Sequence, residues 1–151
     1  MSQTETCFTA LVAALTLPAG DTRLPAPSVE DARLQDYDSA GRLLAIRKAD
    51  TLIIDEELGS GAVEYDLQLE AEVIFAVQGD DNDARAALVS VGETAFHDRL
   101  FADRTLGGAV DELSLQGEIE RQIVRDERTT QPIQTVRFVV TLLFTASSPF
   151  G

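Results

Sequence analysis

The chain has no tryptophan, one cysteine, one histidine, and only 12 Lys and Arg against 26 Asp and Glu in 151 residues. Each scarcity removes a class of function. A single cysteine, Cys7, permits no disulfide within the chain. One histidine and one cysteine leave no Cys/His spacing for a zinc site. The formal net charge of −14 argues against broad nucleic-acid binding, because neutralising phosphates requires an excess of cations. It argues equally against docking on an anionic membrane surface. No apolar run reaches the roughly 18 residues of a membrane span. No basic stretch precedes an apolar one at the N-terminus, so no secretory signal is expected. The expectation is a chain made in a cytoplasm, which stays there or leaves inside something larger. A glycine-rich phosphate loop, a nucleophile elbow and a dinucleotide fingerprint are also missing. No catalytic motif is left to build on.

What is present is a pattern of strands. One domain is expected at this length, and without tryptophan its core draws on Leu, Val, Ile and seven Phe. From Ala62 to Val77 the odd positions read Val63, Tyr65, Leu67, Leu69, Ala71, Val73, Phe75, Val77. The even positions stay polar from Glu64 to Glu72 and turn apolar only at Ile74 and Ala76. This alternation predicts a half-buried strand. At roughly 3.3 Å per residue it would reach about 53 Å, well beyond the usual strand of about 5–6 residues. Such a strand either bends at a bulge or overhangs its own domain.

The other elements follow in order. Ser2 and Glu5 have capping-box spacing, and Phe8, Leu11, Val12 and Leu15 form one face of a helix over Gln3–Leu15 that Pro18 closes. Leu17–Ala40, punctuated by Pro18, Gly20, Pro25 and Pro27, predicts a connecting loop with a short helical turn at Ser28–Leu34. Two short strands are expected at Leu43–Lys48 and Thr51–Ile54 with a turn near Ala49–Asp50, then a turn at Leu58–Gly61. Asp80–Asp83 supplies capping groups for a helix running to about Phe101, with Leu88, Val91 and Ala95 on its buried stripe and Gly92 in its middle. Strands at Ser114–Arg128 and Ile133–Ala146, separated by a turn at Thr129–Pro132, should form an antiparallel hairpin. Val136, Phe138, Val140, Leu142 and Phe144 share one face of the last strand. The fold class predicted is α+β: a mainly antiparallel sheet, two α-helices on one face, and a long C-terminal hairpin.

Several residue clusters have a chemical reading and a plainer one. His97 lies near Asp98 and Asp103 in sequence, but no nucleophile or pocket accompanies it, and a helix-surface histidine explains it. Asp36-x-Asp38-x-Ala40-Gly41 begins like a calcium loop, yet Ala40 fails the fifth ligand position and Arg47 stands where a bidentate Glu is required. Asp80, Asp81 and Asp83 could gather a cation, but helix capping already accounts for them. Cys7 is read as a small packed residue. Arg137, on an otherwise apolar strand, either pairs with an acidic residue across the sheet or meets a partner. No catalytic residue, metal or cofactor is assigned.

The segment Ala95–Asp111, with Asp103-Arg104-Thr105-Leu106-Gly107-Gly108 at its centre, resembles the tail terminator (tail completion) proteins of long-tailed bacteriophages and of gene transfer agents. Those proteins end a helix in a similar Asp-Arg-Thr-Leu-Gly-Gly stretch. The layout matches across most of the chain, the motif over about nine residues. The resemblance implies one tail-terminator-like domain over 1–151 with no catalysis. It implies a six-membered ring of this chain on the head-proximal end of the tail tube. The ring's partners would be the tail tube protein and the head–tail connector or stopper. DNA would pass through without sequence-specific binding, and no membrane would be involved. The particle would be a virion or virus-like particle assembled in a bacterial host. Asp103–Gly108 then becomes a contact or positioning loop, its plainer reading being a glycine helix cap. A head-completion or connector protein of the same particle is the nearest alternative. A small α+β ligand-binding domain or enzyme is the alternative from another class.

Overall fold

The computed structural model describes residues 2–29, 37–58, 63–125 and 131–151. Among these, two helices and five strands appear: α1 (Gln3–Ala14), β1 (Pro27–Ser28), β2 (Arg42–Leu58), β3 (Val63–Gln78), α2 (Asn82–Phe101), β4 (Glu112–Val124) and β5 (Ile133–Ala146). The strands make one sheet in the order β1-β2-β3-β5-β4. Every pairing is antiparallel except the two-residue β1, which runs parallel to β2 at Leu44–Ala45. The predicted α+β class is the one observed.

β3 is the spine. It pairs without interruption to β5 from Tyr65–Ala146 to Gln78–Ile133, and to β2 on its other side. Its odd side chains from Leu67 to Val77 are buried, as the period-2 pattern requires. They face the same way as Val136, Phe138, Val140, Leu142 and Phe144 of β5, and both helices pack on that face to close one core.

Several features differ from the sequence expectation, among them the strand expected at Ser114–Arg128, which starts at Glu112 and ends at Val124. The two short strands expected before β3 are one 17-residue strand. Ala49–Asp50 forms a register slip within β2 rather than a turn, and a second slip lies between Ile53 and Asp55. Bulges bend and twist a long strand without ending it. Ser28, expected to open a helical turn, lies in β1 and Val29 follows it without helix; residues 30–34, 59–61 and 129–130 of the expected turns fall outside the described residues. In α2 the buried stripe is Arg85, Val89, Gly92, Ala95, Phe96 and Leu100. Val91, expected to be buried, is 43% exposed.

The helix ends follow capping chemistry. Ser2 Oγ accepts the Glu5 amide at 3.1 Å. Asp81 caps α2 by accepting the amides of Asp83 and Ala84 at 3.0 and 3.1 Å, which satisfies donors that a helix start leaves free. Arg85 is only 3% exposed. Its guanidinium donates to the Gly79 carbonyl at 2.6 Å and to Asn82 Oδ1 at 2.7 Å, tying the β3–α2 connection shut.

The rotation of α2 is set by one close approach. A Cβ placed on Gly92 would lie 2.4 Å from Cε1 of Phe75. Phe75 is fully buried and stands edge-on to Phe96, with centroids 5.7 Å apart; Phe96 in turn meets Phe138 at 5.1 Å. The ring has nowhere to retreat. A glycine that costs the helix roughly 1 kcal/mol against Ala thus admits the aromatic cluster. Gly92→Val should lower the unfolding free energy by at least about 2 kcal/mol through overpacking. Adding Phe75→Leu should recover part of that loss, because the two sites touch. Urea unfolding of the single and double variants measures both, and an unperturbed Gly92→Val protein would contradict the assigned contact.

Candidate functional site

No catalytic constellation is assembled among the described residues. His97 is a surface residue, its ring 3.7 Å from the Asp98 carboxylate and stacked obliquely near Phe101. Cys7 is buried and its thiol donates to the Ala109 carbonyl at 3.3 Å. Burial pushes its pKa up to about 11, only partly offset by Gln3, so the thiolate needed for reactivity is not formed near neutrality. Asp38 accepts the amides of Ala40 and Arg42 and the Nε and Nη2 donors of the Arg42 guanidinium. Its oxygens are thus engaged by the turn that starts β2. Asp36 lies outside the described residues.

The segment Asp103–Asp111 folds into a braced turn. Asp103 accepts the Thr105 hydroxyl at 2.6 Å, the Thr105 amide at 3.0 Å and the Gly107 amide at 2.8 Å. The Thr105 hydroxyl first, then the two amides, hold its carboxyl below the usual carboxylate range. Leu106, Gly107 and Gly108 all have positive φ, at 50°, 71° and 89°. Two are glycines, for which this costs little. Leu106 adopts the left-handed region as a non-glycine and packs its side chain against the core. Arg104 lies over the ring of Phe101 at 4.9 Å. The turn is exposed and borders a shallow depression against the Ala10, Ala13 and Ala14 face of α1.

Arg137 lies on the sheet face that carries no helix. It donates to Glu72 on β3 at 2.5 and 2.8 Å and to Glu120 on β4 at 3.1 Å. Glu72 also accepts from Arg47 on β2 at 2.5 Å. Alternating charges therefore run Arg47, Glu72, Arg137, Glu120 across all four long strands. Partial burial alone would push the Glu72 carboxyl upward; Arg137 and then Arg47 outweigh it and hold it below its ordinary value of 4.5. The sequence flagged Arg137 but not its partners, since strand register is what brings residues 47, 72, 120 and 137 together.

Among the described residues, most of the exposed large apolar side chains lie on the edges of the sheet. On β2, Leu52, Ile53 and Ile54 are each about half exposed, at 47%, 56% and 53%, and β1 covers this strand only at Leu44–Ala45. At the far end of β2 and β3, the carboxylates of Asp55, Glu57 and Asp66 lie within 4.8 Å of one another. On β4, at the opposite edge, every residue from Gln116 to Val124 is exposed, including Ile119, Ile123 and Val124. A bulge interrupts β4 between Gln116 and Glu120, where Gly117 has φ 71°. Between α2 and β4 runs an apolar groove of about 190 Å³, floored by Phe96, Leu100, Leu115 and Phe138, with Ile119 on its flank and the Glu93–Arg121 ion pair at its rim. Sequence periodicity missed this groove, because it follows from where α2 stops covering the sheet.

No family and no curated protein matches the chain. Among solved structures, the chain is similar to the sheath/tube terminator of PVC, an extracellular contractile injection system, in its extended state. The two are 12% identical; the match covers 95% of this chain and 57% of that one, with a TM-score of 0.49. The chain thus spans little more than half the length of that protein, and a likeness of this degree carries no weight for function. Among the described residues no helix is long and apolar enough to cross a membrane.

Two outcomes test this geometry. Gly107→Val should destabilise the protein by about 1–2 kcal/mol or more, because a β-branched residue is forced into the left-handed region; no atom lies within 4 Å of the added Cβ, so the loss is conformational. Thermal unfolding of Gly107→Val beside Gly107→Asn, which tolerates that region, separates this from general loop damage; equal stability of the two would contradict it. Glu72, depressed in the folded state, contributes stability that is present above its unfolded value and fades as pH falls through the folded one. Glu72→Gln should be less stable than wild type at neutral pH and should lose less stability between about pH 5 and pH 3. Denaturation midpoints across that range measure it, and identical slopes would contradict the role given to the carboxylate.

Proposed function

We propose that this chain is a tail terminator of a bacteriophage or gene transfer agent particle, acting as a structural component without catalysis. In this reading six copies form a ring on the head-proximal end of the tail tube. The ring stops tube polymerisation and joins the tail to the head connector or stopper, and DNA passes through its centre. The observation that carries the reading is the placement of exposed apolar side chains on the two opposite edges of one sheet: Leu52, Ile53 and Ile54 on β2, and Ile119, Ile123 and Val124 on β4. Exposed apolar edge strands are a hazard for a free monomer. Neighbours in a ring cover them, and two different edges suit the head-to-tail contacts of cyclic assemblies.

The Asp-Arg-Thr-Leu-Gly-Gly stretch on which the resemblance rests supports the reading from another direction. It forms an exposed turn whose shape is held by its own side chains, suited to present Arg104 and Thr105 to a partner at low ordering cost. The acidic balance of the chain suits a conduit, since a negative wall repels phosphate and lets DNA slide.

Purified chain added to polymerising tail tube protein should shorten the tubes and leave a ring at one end under negative-stain microscopy. Ile53→Asp and Ile123→Asp should each abolish ring formation while retaining wild-type unfolding temperatures, because both side chains are exposed. Tubes of unchanged length with unmodified ends in the presence of wild-type chain would overturn the reading.

A further inference from the structure

We propose that Phe150 of one copy seats in the groove between α2 and β4 of the next, as the anchor of a head-to-tail contact. The proposal rests on the ring reading above and names a contact within it. Single exposed apolar side chains are common on protein surfaces; three observations set this one apart.

Phe150 is 87% exposed, more than any other large hydrophobic residue described, and its backbone is held. Its amide donates to Ser148 Oγ at 3.2 Å, and the following Gly151 amide donates to the Ser148 carbonyl at 3.1 Å. The ring is therefore presented on a turn rather than on a loose thread, which lowers the ordering cost of a contact.

The groove has the size and lining for an aromatic ring. Its roughly 190 Å³ is bounded by Phe96, Leu100, Leu115, Ile119 and Phe138. An apolar cavity of about 150 Å³ lined by such residues is enough to take up benzene. Phe96 and Phe138 already pack edge to face, and an incoming ring extends that arrangement. The Glu93–Arg121 pair, its nearest atoms 2.9 Å apart, forms a polar rim of the kind that surrounds buried aromatic anchors in interfaces.

Knob and groove lie at different places on one copy. The groove is bounded by β4, the last strand in the order. Phe150 follows the Ala146 end of β5, whereas the groove opens beside Val136 and Phe138 near the start of that strand, and Gly151 abuts Thr4 at the start of α1. A protrusion at one place and a complementary pocket at another define a heterologous contact, which closes into a ring when the rotation allows.

The test uses sedimentation equilibrium of the full chain up to about 1 mM, with Phe150→Ala removing the knob and Ile119→Trp filling the groove from an exposed position. Each variant alone should self-associate at least about tenfold more weakly than wild type, the low end for a fully buried aromatic side chain. Mixing them should restore a one-to-one complex, since one brings an open groove and the other a free Phe150. Wild-type association in Phe150→Ala, or a mixture no tighter than its components, would overturn the contact and leave the ring to be judged by the tube assay. A wild type monomeric throughout would also overturn it. So would an Ile119→Trp chain that fails to cap tubes while Phe150→Ala caps them normally, since the tube protein would then be the occupant.

Discussion

The contact of Gly92 with the ring of Phe75 fixes how α2 lies on the sheet, and much of the molecule follows from it. The missing side chain lets helix and strand approach until Phe75, Phe96 and Phe138 interlock. That approach sets the stripe from Arg85 to Leu100 inward and turns Val91 out. It also centres the helix over β3 and β5, so that β4 is left bare beyond Leu115 and a groove opens alongside. Where the helix ends at Phe101, its axis delivers the chain to the turn at Asp103–Gly108 at the corner between α1 and α2.

The second constraint is length. Strands of 17, 16, 13 and 14 residues are more than helices of 12 and 20 residues can cover. The core accordingly occupies the middle of the sheet, and the surplus appears as exposed ends and edges. Bulges in β2 and β4 bend these strands and increase their local twist. On the uncovered face the ionic string through Glu72 and Arg137 joins the four long strands. Exposed pairs of this kind contribute little singly; sharing Glu72, the least exposed member at 17%, is what makes them a network. In the ring proposed above, neighbours would cover these exposed edges.

The sequence made the spine of this structure readable and its margins obscure. β3 and β5 follow from strict alternation, and β5 from Ile133 to Ala146 falls where the pattern places it. Ser2 and the acidic run before α2 announce the helix starts by capping chemistry. The two halves of β2 read as separate strands because a register slip and a turn look alike in one dimension: both interrupt alternation at Ala49–Asp50. Val91 was expected to be buried because apolar spacing ranks side chains by hydrophobicity, whereas here a glycine and an arginine occupy the inward face. Arg85 is polar by composition and buried by geometry, its charge met by a carbonyl and an amide oxygen that only the fold brings near. Of the candidate surfaces, the Asp103–Gly108 turn was visible as a motif, while the groove and the exposed edges exist only once the strand order is known.

In the proposed ring, both edges of one sheet are assembly surfaces, each for the opposite edge of a neighbour. Hydrogen–deuterium exchange of the chain free and docked on tail tubes tests it most directly. Outward-facing amides of Thr51–Glu57 on β2 and of Glu118–Val124 on β4 should both slow by at least about tenfold on docking, with β3 and β5 already protected in the free chain. Unchanged exchange along both edges in a chain shown to be bound to the tube would contradict it.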